Sequence, residues 1–204
     1  MGSVNMPPGK VRCIGVGISK TGTTSLGDAL RLLGFRVEGY HPELLKQCAN
    51  GSRAAALEHA EDYEGFEDFP WPLLYEEMAE RFPEARFVLT LRKDVSTWHR
   101  SVVAHVQRKP RSLWAWELVY GSADPVVDRA RYVDYYESHA ERVRSFFQRR
   151  APERLLTVCW EHGDGWDELC AYLGMERPAA PFPHSNAAPR NPSLIERVRR
   201  RLGI

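Results

Sequence analysis

CIGVGISKTGTTSLGDALRLLGF, residues Cys13 to Phe35, is the stretch on which the fold turns. Its apolar start, Val11 to Val16, reads as a short buried strand. Its second half places Leu26, Ala29, Leu30 and Leu33 at helical spacing, with Gly34 where a C-terminal cap belongs. Between strand and helix stand Gly15, Gly17 and Gly22, Lys20, and the hydroxyls of Thr21, Thr23, Thr24 and Ser25. A Gly-rich turn of this kind aims several backbone N–H groups and the positive end of a helix at one point, which makes an anion site. An ordinary polar turn needs neither the lysine nor four hydroxyls between residues 20 and 25.

An ATP-type loop reads G-x-x-x-x-G-K-[ST], its lysine reaching the β- and γ-phosphates and its hydroxyl holding magnesium. Aligned on Gly17 and Gly22, the present loop puts Thr23 in the lysine position and carries Lys20 ahead of the second glycine. The cradle for a phosphate is there; the usual arrangement for a γ-phosphate and its metal is not. A nucleotide kinase or NTPase therefore stands as the alternative reading, beside a non-catalytic nucleotide-binding module.

Outward from this stretch, strand-like and helix-like segments alternate. FRVEGY from Phe35 and EGFEDF, Glu64 to Phe69, are candidate strands, the second ended by Pro70. LLYEEMAERF is an amphipathic helix stopped by Pro83, ARFVLTLR (Ala85 to Arg92) a strand, and VSTWHRSVVAHVQRK a helix. A long helical segment is expected over roughly Val126 to Arg150, a last strand over Arg154 to Trp160, and a short helix in GWDELCAYLGM. The tail NPSLIERVRRRL begins with a Ser193-x-x-Glu196 capping box, so a final helix is expected there. Such alternation predicts an α/β fold: a P-loop-like parallel β-sheet with helices on both faces, in a single domain over 11–204 after a flexible N-terminus over 1–10. Ligands of such sheets bind beyond the carboxyl ends of the strands, which brings the loop after Val16, the residues around Asp68 and those after Leu91 to one rim.

Composition agrees with a globular chain. The 204 residues are 43% hydrophobic and 27% charged, with a net charge of +1, which argues against a wholesale nucleic-acid binder. No apolar run reaches spanning length, and the polar start gives no secretory signal, so a cytoplasmic location is expected. The four cysteines, Cys13, Cys48, Cys159 and Cys170, form no C-x-x-C pair and share no ligand spacing with histidines; they read as free thiols, and no metal site is predicted.

The motifs resemble one family in four segments. SKTGTTSL is similar to the 5′-phosphosulfate loop of sulfotransferases that use 3′-phosphoadenosine 5′-phosphosulfate (PAPS). FPEARFVLTLRKDVSTWHRSV resembles their 3′-phosphate segment, a strand ending in Arg followed by a helix bearing Ser. EDFP and GDGWDELCAYLGMERPAAPFPHSN are similar to a subfamily common in bacteria, fungi and lower eukaryotes, and the likeness runs from about Val11 to Asn186. The resemblance implies in-line, metal-independent transfer of a sulfuryl group to an acceptor hydroxyl or amine, leaving adenosine 3′,5′-bisphosphate (PAP). The acceptor would be a small molecule, a glycan or a lipid.

Carried onto this chain, the resemblance puts Lys20 at the leaving group and Thr21, Gly22, Thr23, Thr24 and Ser25 around the 5′-phosphate. It gives the 3′-phosphate to Arg92 and Ser101, and a contact with the nucleotide to Asn186. The family spaces its Arg and Ser eight apart; Arg92 to Ser101 is nine and Lys93 to Ser101 is eight, and Asp94 replaces a common proline. Arg92 is the choice, with Lys93 the rival. Asp68 in EDFP falls where the resembling cytosolic sulfotransferases carry a catalytic histidine and is the expected base, provided burial raises its pKa or the acceptor is acidic; a plain turn role beside Pro70 competes, and Glu67, on the other face of the same strand, is second choice. His41, Trp114 and Trp116 are candidates for the acceptor pocket, helix-spaced aromatics being otherwise core.

Overall fold

The computed structural model describes residues 13–108 and 113–185. The expected N-terminal segment, Asn186 and the helix beginning near Ser193 lie outside the described residues. Five strands form one sheet: β1 (Cys13–Gly15), β2 (Val37–Glu38), β3 (Gly65–Phe66), β4 (Arg86–Thr90) and β5 (Leu155–Val158), in the order β2-β3-β1-β4-β5. Every pairing is parallel, with Cys13 opposite both Gly65 and Arg86, and Phe87 opposite Leu155. All five strands fall within the segments read from the sequence.

Eight helices accompany them among the described residues: α1 (Thr23–Leu32), α2 (Pro42–Ala49), α3 (Ala54–His59), α4 (Tyr75–Arg81), α5 (Val95–Arg108), α6 (Leu113–Tyr120), α7 (Arg129–Arg150) and α8 (Trp166–Leu173). The two-residue period of the strands divides the core. Ile14, Phe87 and Leu89 pack on one face with Met78 of α4 and Val143 and Phe147 of α7. Cys13 and Val88 pack on the other with Leu26 and Leu30 of α1 and Leu169 of α8. A third, aromatic cluster of Phe69, Trp98, Trp116, Tyr120, Tyr132 and Tyr136 stands over the carboxyl rim, built largely from α5, α6 and α7. The four cysteines are all buried.

Helix boundaries follow local chemistry. Gly34 takes a left-handed φ of 89° just past α1, and Gly174 one of 67° after α8, as C-terminal caps do. Asp94 caps α5: its carboxylate accepts the Thr97 N–H at 2.6 Å and the Thr97 hydroxyl at 2.8 Å. That gives the aspartate a use in the place where the resembling family has proline. No described helix is long and apolar enough to cross a membrane.

Candidate active site

The strand order reverses beside β1: β2 and β3 lie on one side of it and β4 and β5 on the other. The carboxyl ends of β1, β3, β4 and β5 meet there, the place where open α/β sheets bind ligands. Gly17 and Gly22 shape the loop after β1. A Cβ on Gly17 would lie 2.0 Å from Thr90 Oγ1 of β4, so only glycine lets the loop cross that strand. Gly22 has φ 101°, and a Cβ there would lie 2.4 Å from the ring of Trp160. The Trp160 indole N–H donates to the Gly22 carbonyl at 3.1 Å, clamping the turn from the end of β5.

The hydroxyls expected around a 5′-phosphate divide their work differently. Thr21 is buried, donates to the Ile18 carbonyl at 2.7 Å and shares a 2.6 Å bond with Thr90 Oγ1, so it braces the loop from below. Ser25 accepts the Ser185 N–H at 3.1 Å, and Thr23 is buried with its hydroxyl bonded to Glu67. Thr24 is half-buried at the cavity wall. The anion-binding capacity lies in the backbone instead. The first helical bond of α1 runs from Leu26 N–H to the Gly22 carbonyl, and no side chain caps the helix. The N–H groups of Thr23, Thr24 and Ser25 thus have no helical acceptor and converge at the positive end of the dipole.

Lys20 stands in the left-handed region at φ 75°, its Nζ 3.4 Å from His105 Nδ1 of α5. Asp68, at φ 63°, is the other non-glycine residue among the described residues with positive φ. Such backbone costs of order 1–3 kcal/mol per residue and is held in place by its surroundings. For Asp68 those surroundings are the Ser19 hydroxyl and the Phe69 N–H (2.8 Å), both donating to Oδ1. Oδ2 carries no hydrogen bond among the described residues. Burial pushes the carboxyl pKa up, against the pull of the Ser19 and Phe69 bonds and the Lys20 charge.

Glu67 and Asp68 both lie past the end of β3, so strand alternation does not govern them; the Glu67 side chain runs toward α1 while Asp68 lines the cavity. Glu67 is buried against Gly27 of α1 and Gly39, with no partner for Oε2 among the described residues, and burial raises its pKa to about 7.

Arg92, not Lys93, faces the cavity, but its guanidinium is held. Nε and Nη2 donate to the two oxygens of Glu161, each at 2.8 Å, and Nη1 donates to the Lys20 carbonyl at 3.2 Å. Among the described residues, two of the five N–H groups a guanidinium carries remain. Glu161 also accepts the Lys93 N–H at 3.0 Å, and these bonds, Arg92 first, hold its carboxyl below the usual range. Helix α7 supports the same rim at two points: Tyr136 Oη accepts the Arg92 N–H at 3.1 Å, and His139 Nε2 donates to the Val16 carbonyl at 2.8 Å.

These groups line one cavity of about 1140 Å³. Lys20, Asp68, Arg92, Ser101 and Trp116 all reach it, and Arg100, His105, Trp160, Glu161 and Ser185 join them. His41 does not: its Nδ1 accepts the Leu44 N–H and caps α2. Nor does Trp114, whose ring lies under Lys46 Nζ at 5.0 Å. Both had been expected at the acceptor pocket; a capping duty and a cation–π contact occupy them. Among the described residues, no three His, Cys, Asp or Glu side chains converge on a metal position. The sequence reading missed Ser19, His105, Trp160 and Glu161. The rule that ligands sit beyond strand ends would have flagged Trp160 and Glu161, which stand two and three residues past the end of β5.

The sulfotransferase domain family model matches residues 12–127 and 113–190 of the chain. The Ava biosynthesis cluster protein M of Aspergillus versicolor is 25% identical over 208 residues, covering 83% of this chain and 78% of that protein. Among solved structures, a sulfotransferase from Alicyclobacillus acidocaldarius superposes with a TM-score of 0.55 at 17% identity, over 90% of this chain and 87% of its own, a likeness of fold.

Proposed function

The chain belongs to the sulfotransferase domain family, and from that premise we propose that it moves a sulfuryl group from PAPS to an acceptor hydroxyl or amine, in line and without a metal. The observation that carries the reading is the meeting, in one cavity, of the uncapped start of α1, the Lys20 ammonium and an Asp68 carboxylate with one oxygen free. When bound, PAPS supplies the sulfuryl group and a phosphate that leaves with extra negative charge.

The residues fit such a group. Backbone N–H groups of Thr23 to Ser25 hold the 5′-phosphate, and Lys20 places its charge where the leaving oxygen becomes more negative. Ser101 and the two spare N–H groups of Arg92 serve the 3′-phosphate. Asp68 Oδ2 takes the acceptor's proton, with Ser19 and the Phe69 N–H fixing the carboxylate from its other oxygen. The cavity exceeds the 300–1,000 Å³ usual for a single ligand, which suits two substrates side by side.

A thermal-shift comparison of PAP with ATP and magnesium tests the reading. Ligand at a hundred times its dissociation constant stabilises by about 2.7 kcal/mol, worth roughly 5–10 °C in a chain of this size. The shift is expected with PAP; a shift with ATP and magnesium alone would establish the kinase or NTPase alternative instead.

A further inference from the structure

The cavity has two chemically different ends. One is the polar phosphate end around the start of α1. The other is walled by Tyr40, Phe69, Ala104, Ala115, Trp116 and Tyr120. Trp116 and Tyr120 stack at 5.2 Å between ring centroids and 15° between planes, and Phe69 meets Tyr120 edge-on at 6.4 Å. His105 braces Trp116 from the side at 5.6 Å. The Tyr120 hydroxyl is sealed from solvent, so what the cavity meets of this residue is ring. Tyr40, at 44% exposure, and Ala104 are the exposed residues of this wall.

At the meeting of the two ends stands Asp68. Of the acidic side chains lining the cavity, Glu161 is clasped by Arg92, which leaves Asp68 Oδ2 as the available proton acceptor. A carboxylate is a weak base for an aliphatic hydroxyl, which is about as weak an acid as water at 15.7. A phenolic hydroxyl, near 10, gives up its proton roughly a millionfold more readily.

Resting on the sulfotransferase reading above, we propose that the acceptor is an aromatic hydroxyl compound, its ring seated among Phe69, Trp116 and Tyr120 and its hydroxyl at Asp68 Oδ2. The acceptor oxygen forms its bond to sulfur as the bond from sulfur to the phosphate oxygen breaks. The electron pair of the broken bond stays on that phosphate oxygen, and the phenolic proton passes to Oδ2. Sugars and aliphatic alcohols fit neither the flat walls nor the base.

The test uses the full chain saturated with PAP, titrated by calorimetry with 2-naphthol and with its saturated counterpart, decahydro-2-naphthol. Both are also offered as acceptors with PAPS. The naphthol is expected to bind about tenfold more tightly, the worth of good ring–ring contact, and to be the one sulfated. Trp116→Ala should remove that preference while PAP affinity stays the same. Tyr40→Ala, at an exposed position that cannot upset the core, should weaken naphthol binding severalfold. Equal or tighter binding of the saturated alcohol, its preferential sulfation, or no saturable naphthol binding to the PAP complex overturns the proposal and leaves the sulfotransferase reading in place. A chain that does not bind PAP overturns both.

Discussion

Two buried groups on opposite faces of the site have pKa values moved in opposite directions, and their pairing makes a quantitative test of the structure. His139 is buried on α7 and its pKa falls from 6.5 to about 4, chiefly because burial disfavours the imidazolium. It contributes stability above pH 6.5 that is lost as pH falls through about 4. Glu67 rises from 4.5 to about 7 for the same physical reason, burial disfavouring its charged form. It contributes stability below pH 4.5 that is lost as pH rises through about 7. At 1.36 kcal/mol per pH unit, each gap is worth about 3 kcal/mol. The windows nearly coincide, so in the wild-type chain the two contributions oppose and largely cancel.

Single substitutions should expose them. Relative to wild type, Glu67→Gln leaves His139 unopposed and should lose about 3 kcal/mol between pH 7 and pH 4. His139→Gln, which keeps an N–H for the Val16 carbonyl, should gain about 3 kcal/mol between pH 7 and pH 4.5. Urea denaturation followed by tryptophan fluorescence, extrapolated to water at each pH, supplies the measurement. Wild type and both variants running parallel across this range would refute the assignment of these side chains as buried, neutral groups.

Four further outcomes follow from the loop and its supports. Gly22→Ala combines a left-handed backbone with a clash against Trp160; left-handed strain of about 1–2 kcal/mol plus a lost hydrogen bond of about 1 should lower the melting temperature by roughly 5–10 °C and abolish the PAP shift. Glu161→Gln loosens the clasp on Arg92, so PAP should bind severalfold more tightly by calorimetry, whereas Arg92→Ala should weaken PAP more than adenosine 5′-monophosphate; equal losses for the two nucleotides would remove Arg92 from the 3′-phosphate. Asp68→Asn should cut turnover at least a hundredfold with PAP affinity unchanged, and undiminished turnover would exclude Asp68 as the base.

How legible all this was in the sequence depended on whether the controlling contact was local. Cys13, Val88 and Leu89 alternate between the sheet's faces, and each strand's own run of residues is enough to reveal it. The loop after β1 is likewise local, so its glycines, Lys20 and the start of α1 can be read together from one short stretch. Helices α2 and α3 escaped notice because they are short, with few apolar positions to set a period. The hydroxyls of Thr21, Thr23 and Ser25 looked like ligands from their spacing, but their partners, Thr90, Glu67 and Ser185, come from distant parts of the chain. Glu161 and His105 reach Arg92 and Lys20 only through the fold. Trp114 and Trp116 are two apart on one helix and so point to different surroundings, one to Lys46 and one to the cavity.

The two bonds from α7 have a practical bearing on any attempt to move the loop after β1 elsewhere. His139 fixes the end of β1 and Tyr136 the end of β4, from neighbouring turns of one helix more than forty residues downstream of either strand. The helix thereby acts as a gauge, setting from outside the sheet how far apart the loop and the arginine stand. A graft of β1, the loop and α1 alone would carry the residues without the spacing. The transferable unit is the strand–loop–helix together with α7, a cassette discontinuous in sequence and continuous only in space.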